Sequence, residues 1–128
     1  MRLLLDTHTF LWFIDGNAAL SPAARALIED PANERYMSMA SLWEIAIKYS
    51  LGRIQLAQPF HIFLPQQLLH NQMEILGITV AHTAAIATLP YQHKDPFDRM
   101  IIAQALVESL PVISIDTVLD AYGVSRIW

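Results

Sequence analysis

Short apolar runs alternate along this chain with longer segments in which apolar side chains recur every three or four positions. The short runs predict β-strands at residues 3–5, 36–38, 75–80 and 112–115, with an edge strand at 124–128. The periodic segments predict helices at residues 8–14, 22–30, 41–51, 59–70, 81–89, 100–110 and 117–122. Strands that alternate with helices favour a parallel sheet covered on both faces, which is the α/β class.

Capping residues and prolines mark where several of these helices begin and end. Thr7 is expected to cap the first helix, and Ser21, followed by Pro22, the second. Pro90 ends a later helix. No internal repeat, low-complexity tract or linker interrupts the pattern, so we expect a single domain over residues 1–128.

Four carboxylates stand at comparable places in this pattern. Asp6 follows the first strand, and Asp116 follows the last strongly apolar one. Asp98 stands at the start of the most apolar helix, and Glu44 lies within about the first turn of the helix in "ASLWEIAIKY". In a parallel sheet with right-handed crossovers, strand ends and the helix starts that follow them share one edge. The four carboxylates are therefore expected to converge.

Converging carboxylates repel one another and need a cation nearby. The chain has no Cys and no His pair at ligand spacing, so the available ligands are hard oxygens, which suit Mg²⁺ or Mn²⁺. Such an ion can activate a water molecule and hold a phosphate oxygen. This chemistry would hydrolyse a phosphodiester.

Composition bounds the kind of protein further. Hydrophobic residues make up 54% of the chain and charged residues 16%, against typical values of about 45–50% and about 25%. The apolar excess suggests a surface that a partner or a second copy covers. No apolar run reaches the roughly 18 residues of a membrane span, and the first segment is too short for a signal-peptide core. A cytoplasmic protein is the expectation.

The formal net charge of −4 at first argues against a nucleic-acid partner. Without five carboxylates assigned to a metal cluster, however, the remainder carries +1; these are Asp6, Glu44, Asp95, Asp98 and Asp116. The basic residues expected near the pocket are Arg2, Lys48, Arg53, Lys94 and Arg99. Such a surface can accept an RNA backbone.

Four blocks of sequence together resemble the PIN-domain toxins of bacterial toxin–antitoxin systems, the VapC-type ribonucleases. The blocks are "LLLDTHTFLWF", "SMASLWEIAIKYSLGRI", "HKDPFDRMIIAQALVESLPVIS" and "IDTVLDAYGV", and they span nearly the whole chain. The resemblance implies a three-layer α/β/α sandwich around a mainly parallel sheet. It also implies a Mg²⁺- or Mn²⁺-dependent endoribonuclease that is inhibited by a cognate antitoxin and usually forms a homodimer.

The resemblance assigns roles by position. Asp6, Glu44, Asp98 and Asp116 match the four acids of the family, and we expect Asp6 and Asp98 to be direct metal ligands. Glu44 would ligate the ion or orient the water as a base, and Asp116 would act directly or through a water molecule.

Further residues match supporting positions. Thr7 matches the small hydroxyl residue beside the first acid, and Ser114 the hydroxyl residue two positions before the last. Ile102-Ala103 follows Asp98 by four residues where many relatives have three, which makes Asp95 a rival ligand. Since residues three apart share a helix face, we place Asp98 on the ion and Asp95 behind it.

Lys48 and Arg99 are candidates to contact flanking RNA phosphates. Ordinary ion pairs with acids of the pocket are equally compatible with the pattern for both. The five histidines are scattered and are expected to be structural or exposed, although His8 and His93 lie closest to the acids. Trp12 and Trp43 are the best candidates for an apolar partner-binding surface.

Other interpretations predict different features. Helix caps would explain individual acids, Asp95 before Pro96 above all. A receiver-like phosphoacceptor domain needs paired acids after the first strand and a Lys after the last main strand, and a haloacid dehalogenase-type phosphatase needs a second Asp where His8 stands. A catalytically inactive module that binds RNA or protein through the acidic pocket remains the main alternative.

Overall fold

The computed structural model describes residues 1–128 and contains five strands, six α-helices and one 3₁₀ helix. The strands are β1 (Arg2–Leu5), β2 (Glu34–Ser38), β3 (Met73–Leu76), β4 (Val112–Ile113) and β5 (Arg126–Ile127). The helices are α1 (Thr7–Asp15), α2 (Pro22–Glu29), α3 (Met39–Ser50), α4 (Phe60–His70), α5 (Val80–Ala87) and α6 (Pro96–Glu108). The 3₁₀ helix, Thr117–Tyr122, connects β4 to β5.

The five strands form one parallel sheet in the order β3-β2-β1-β4-β5. Its central strand explains the run of leucines near the start of the chain, because Leu3, Leu4 and Leu5 are all completely buried. Successive side chains of a strand point to opposite faces. Leu3 and Leu5 accordingly pack in one apolar cluster with Phe10 of α1, and Leu4 packs in the other with Ile102 of α6. Helices cover both faces, which confirms the expected α/β/α sandwich.

The carboxyl ends of β1, β2 and β4 lie side by side. Leu5 pairs with Met37 of β2 and with Ile113 of β4. The backbone N–H of Asp6 then donates to the carbonyl of Ile113 at 3.2 Å. The residues that follow these strands consequently start from one edge of the sheet.

Several helices begin elsewhere than predicted, and the largest difference is in α6, which starts at Pro96 instead of residue 100 because Asp95 caps it. The cap of α1 is Asp6, whose Oδ1 accepts from the N–H of Thr9 at 2.8 Å; the predicted cap, Thr7, is the first helical residue. Ser38 caps α3 by accepting from the N–H of Ala40 at 3.0 Å, so this helix starts two residues earlier than expected. Glu44 therefore lies in the second turn.

Three strands are also shorter than predicted, including the edge strand, which covers Arg126–Ile127 instead of residues 124–128. The third strand ends at Leu76, because Thr79 caps α5 in a reciprocal pair with His82 and the helix takes up Val80. The fourth ends at Ile113, since the hydroxyl of Ser114 accepts from the N–H of Asp116 at 3.0 Å and turns the chain. None of the helices is long and apolar enough to cross a membrane.

Candidate metal centre

Asp6 directly follows β1, and Asp116 lies three residues after the neighbouring strand β4; each also caps the helix that follows it. Oδ1 of Asp6 accepts from the N–H of Thr9 at 2.8 Å, and Oδ1 of Asp116 accepts from the N–H of Val118 at 3.0 Å. Capping uses only one carboxylate oxygen in each residue. The capping interpretation and the metal-site interpretation are thus compatible.

The structure separates the roles of the two acids at the start of α6. Oδ1 of Asp95 accepts from the N–H groups of Phe97 and Asp98, at 2.8 and 3.1 Å, which makes Asp95 the cap. Asp98 lies in the first turn, and its Oδ2 is 3.2 Å from Nε2 of His93. This arrangement supports Asp98 as the ligand with Asp95 behind it.

His93 joins the acidic group. Its Nε2 lies 2.8 Å from Oδ2 of Asp116 as well as 3.2 Å from Asp98, and the potential ligand atoms of these three residues all fall within 4.8 Å of one another. The scattered spacing of the histidines could not show this contact. The available signal was the position of His93 two residues before Asp95, at the start of "HKDPFDR".

The two carboxylate oxygens of Glu44 indicate whether the candidate site suits a cation. The side chain of Glu44 is buried in the second turn of α3, with 5% of the residue exposed. Oε2 pairs with Nζ of Lys48 at 2.9 Å, whereas Oε1 is buried and has no hydrogen-bond partner. An unpaired buried carboxylate oxygen is costly, and a divalent cation with oxygen ligands would satisfy it. The donor set therefore fits Mg²⁺ or Mn²⁺.

Several of the other candidate residues lie close enough to Asp98 to shift its pKa. Burial, followed by the negative charge of Asp95, raises this pKa from 3.8 to about 7. His93 lowers it, while Glu44 and Asp6 raise it. Residues from three separate parts of the sequence thus affect one carboxyl group. A bound divalent cation would favour the charged form instead.

The raised pKa predicts how Asp98→Asn changes stability in the absence of metal. Folded wild type keeps a proton on Asp98 that the unfolded chain releases near pH 3.8, so its free energy of unfolding should fall as pH rises toward about 7. Asparagine removes this contribution. We expect the variant to be the more stable protein above about pH 7 in EDTA, although it lacks a carboxylate of the candidate metal centre.

Urea unfolding of both proteins between about pH 4 and pH 8 measures this difference. The free energy of unfolding of Asp98→Asn minus that of wild type should increase with pH across this interval and stay constant above it. Parallel stability profiles would show that Asp98 ionises normally in the folded protein.

Thr7 and Ser114 support the backbone around the acids. Oγ1 of Thr7 donates to Oγ of Ser41 at 2.9 Å, a buried contact that joins α1 to α3. Oγ of Ser114 accepts from the N–H of Asp116 at 3.0 Å. Neither hydroxyl is free on the surface, since both residues are buried. These contacts suit residues that hold the ligands in place.

The two basic residues that were candidates to contact RNA phosphates differ in exposure and in hydrogen-bond partners. Lys48 forms its ion pair with Glu44 and keeps about a third of its side chain exposed, at 31%. Arg99 is only 4% exposed, and its guanidinium donates to the carbonyls of Leu89, Pro90 and His93. The expectation that Arg99 contacts RNA phosphates is therefore corrected, as is the alternative of an ion pair with an acid. Its charge is used to hold a loop.

Two tryptophans were expected to lie on a partner-binding surface. Trp43 is 61% exposed and meets Phe97 edge-on, with ring centroids 5.3 Å apart. Trp12 is half-buried and packs against Trp128, at 5.9 Å between centroids. Trp43 is thus the more accessible of the two.

The fold and the candidate site together define a class of protein. Its members have an all-parallel sheet between two layers of helices, with acidic side chains near the carboxyl ends of the strands. The family model described as PIN domain matches residues 3–124. The chain belongs to the PIN domain family, which confirms the resemblance noted in the sequence.

The chain is also similar to individual proteins and solved structures. The chain is 37% identical over 60 residues to Ribonuclease VapC16 of Mycobacterium tuberculosis, a match that covers 47% of this chain and 43% of that protein. Among solved structures, it is similar to VapBC2 from Rickettsia felis bound to a DNA fragment from the promoter, with a TM-score of 0.72, 14% identity and coverage of 99% of this chain and 98% of that one. The chain is also similar to VapBC-1 from nontypeable Haemophilus influenzae, with a TM-score of 0.70, 18% identity and coverage of 99% of this chain and 97% of that one. At these identities the structural matches show the fold alone.

Proposed function

We propose that this chain is a metal-dependent endoribonuclease and the toxin of a toxin–antitoxin pair. The observation that carries the proposal is the convergence of acids on Asp98, together with the unpaired buried Oε1 of Glu44, at the strand ends of a PIN domain. The partial match to a ribonuclease of the VapC type supports the choice of RNA as the substrate. Because that substrate is RNA, we expect the protein to act in the cytoplasm.

The acids divide into direct and indirect ligands. Asp6 and Asp98 would hold the Mg²⁺ or Mn²⁺ ion directly, and Glu44 would ligate it or orient the attacking water. Asp116 has one oxygen in a helix cap and the other beside His93, which suits contact through a water molecule. When bound, the ion lowers the pKa of a water molecule and offsets the charge that develops on the scissile phosphate.

The side chains around the ligands have separate tasks. Lys48 holds Oε2 of Glu44, so that Oε1 is the oxygen available to accept a proton from water. The exposed part of Lys48 can also contact a flanking phosphate. Asp95 fixes the first turn of α6 and with it Asp98. No side chain is required as a covalent nucleophile.

Metal removal tests the proposed activity. Purified protein is incubated with end-labelled single-stranded and hairpin RNAs in Mg²⁺, in Mn²⁺ or in EDTA, and the fragments are sequenced. We expect cleavage with either ion, none in EDTA, and recovery when the ion is restored. Cleavage that continues in EDTA contradicts the proposal. RNA binding without cleavage under every condition would favour the inactive binding module.

We further propose two protein partners, a cognate antitoxin and a second copy of the chain. Both expectations draw on the apolar surface that the composition predicted. One groove of about 730 Å³ between α3, α4 and β3 is lined mainly by apolar side chains. Trp43, Leu69 and Ile75 on it are all exposed. Contiguous apolar surface of this kind is typical of protein interfaces.

A further inference from the structure

The loop between α5 and α6 has no regular secondary structure and is nevertheless held at several points. The guanidinium of Arg99 donates to the carbonyls of Leu89 at 3.0 Å, Pro90 at 2.9 Å and His93 at 3.3 Å. The ring of Tyr91 stacks on the same guanidinium, 4.0 Å from its centroid to Cζ. These contacts come from α6 and fix the backbone of the loop.

Tyr122, at the end of the 3₁₀ helix, holds the same loop from the other side. Its hydroxyl accepts from the backbone N–H of His93 at 2.7 Å and donates to the carbonyl of Pro90 at 2.6 Å. None of these contacts uses the imidazole of His93. These bonds place the loop backbone mainly without that side chain, whose Nδ1 accepts one bond from the N–H of Asp95 and whose Nε2 does not contact the loop backbone.

The hydrogen bonds of the His93 ring identify its tautomer. Nδ1 lies 3.2 Å from the backbone nitrogen of Asp95, and a backbone N–H can only donate. Nδ1 therefore carries the lone pair, and Nε2 carries the proton. That proton faces Oδ2 of Asp116 at 2.8 Å and Oδ2 of Asp98 at 3.2 Å.

We propose that His93 is a positioning residue for the metal centre, with its Nε2–H bridging the Oδ2 atoms of Asp98 and Asp116. The inference rests on the proposed function, since it assigns these carboxylates to a bound ion. A donor between two like charges offsets their repulsion and keeps them close. Oδ1 of Asp98 then remains available to the ion. His93 is not itself a ligand, because the nitrogen that faces the acids has no free lone pair.

Two substitutions at His93 separate this role from simple packing. His93→Asn keeps a polar group near the place of Nδ1 and removes the donor to the acids. His93→Gln extends an amide nitrogen to about the place of Nε2 and so restores the donor. His61→Asn, on the exposed surface of α4, is the matched control. Folding is followed by thermal unfolding in EDTA.

Mn²⁺ binding is measured without RNA, by isothermal titration calorimetry and by electron paramagnetic resonance. Loss of a residue that orients metal ligands typically weakens binding by about 10–100-fold, and we expect this for His93→Asn. His93→Gln should recover most of the affinity, and His61→Asn should bind like wild type. The melting temperatures in EDTA should stay close together.

The results distinguish three failures. Equal Mn²⁺ affinity of wild type and His93→Asn would overturn the positioning role. Nitrogen coupling from His93 in the wild-type Mn²⁺ spectrum, absent in His93→Asn, would overturn it as well, because it would make His93 a direct ligand. Failure of wild type itself to bind Mn²⁺ would instead overturn the proposed function on which the inference depends.

Discussion

Replacing Asp6 with Asn is expected to abolish RNA cleavage and toxicity in cells while leaving the fold intact. An amide oxygen is a much weaker ligand for Mg²⁺ or Mn²⁺ than a carboxylate oxygen, because it carries no net charge. Asn is, however, about as good a helix cap as Asp. The bond from the N–H of Thr9 that begins α1 should therefore survive in Asp6→Asn.

A second substitution at the same position measures the cap by itself. Asp6→Ala removes both the ligand and the cap, and the loss of a cap typically costs about 1 kcal/mol. Both variants should be inactive, but only Asp6→Ala should unfold at lower urea concentration. Asp15→Asn makes the same chemical change at the exposed far end of α1 and should leave cleavage unchanged. Nuclease activity retained by purified Asp6→Asn would refute the role of Asp6.

The sheet could be predicted from sequence because its strands are buried on both faces. Leu3, Leu4 and Leu5 are consecutive apolar residues, which is the pattern that a parallel central strand needs. The end of the third strand was missed for a local reason. Val80 has high strand propensity, but the cap formed by Thr79 and His82 favours a helix there. Capping hydrogen bonds outweighed propensity at this boundary.

The acids of the candidate site were easier to find than the residues around them. Asp6 and Asp116 follow apolar strands, so their positions at one sheet edge follow from topology alone. The contact of His93 with Asp98 and Asp116 depends on the shape of an irregular loop. That shape is determined by side chains from α6 and the 3₁₀ helix, which sequence patterns do not connect to the loop.

Arg99→Met provides the strongest test of how this loop is held. The substitution keeps an unbranched apolar side chain on α6 but leaves the carbonyls of Leu89, Pro90 and His93 without their charged donor. Hydrogen bonds to charged groups are strong, and the buried carbonyl of Leu89 would be left unpaired, whereas that of Pro90 keeps the hydroxyl of Tyr122. We expect the variant to lose about 2–4 kcal/mol of unfolding free energy. Arg99→Lys should recover little, because an ammonium group cannot reproduce the planar fork of donors.

Urea unfolding and amide hydrogen exchange measure the two consequences, global stability and the protection of residues 89–95. Arg53→Met removes an exposed arginine and should leave both unchanged. If Arg99→Met unfolded like wild type and lost only cleavage, the corrected expectation that Arg99 contacts RNA would be restored. If Arg99→Met lost stability, loop protection and Mn²⁺ affinity together, Arg99 would support the metal centre indirectly, by holding the loop backbone that positions His93.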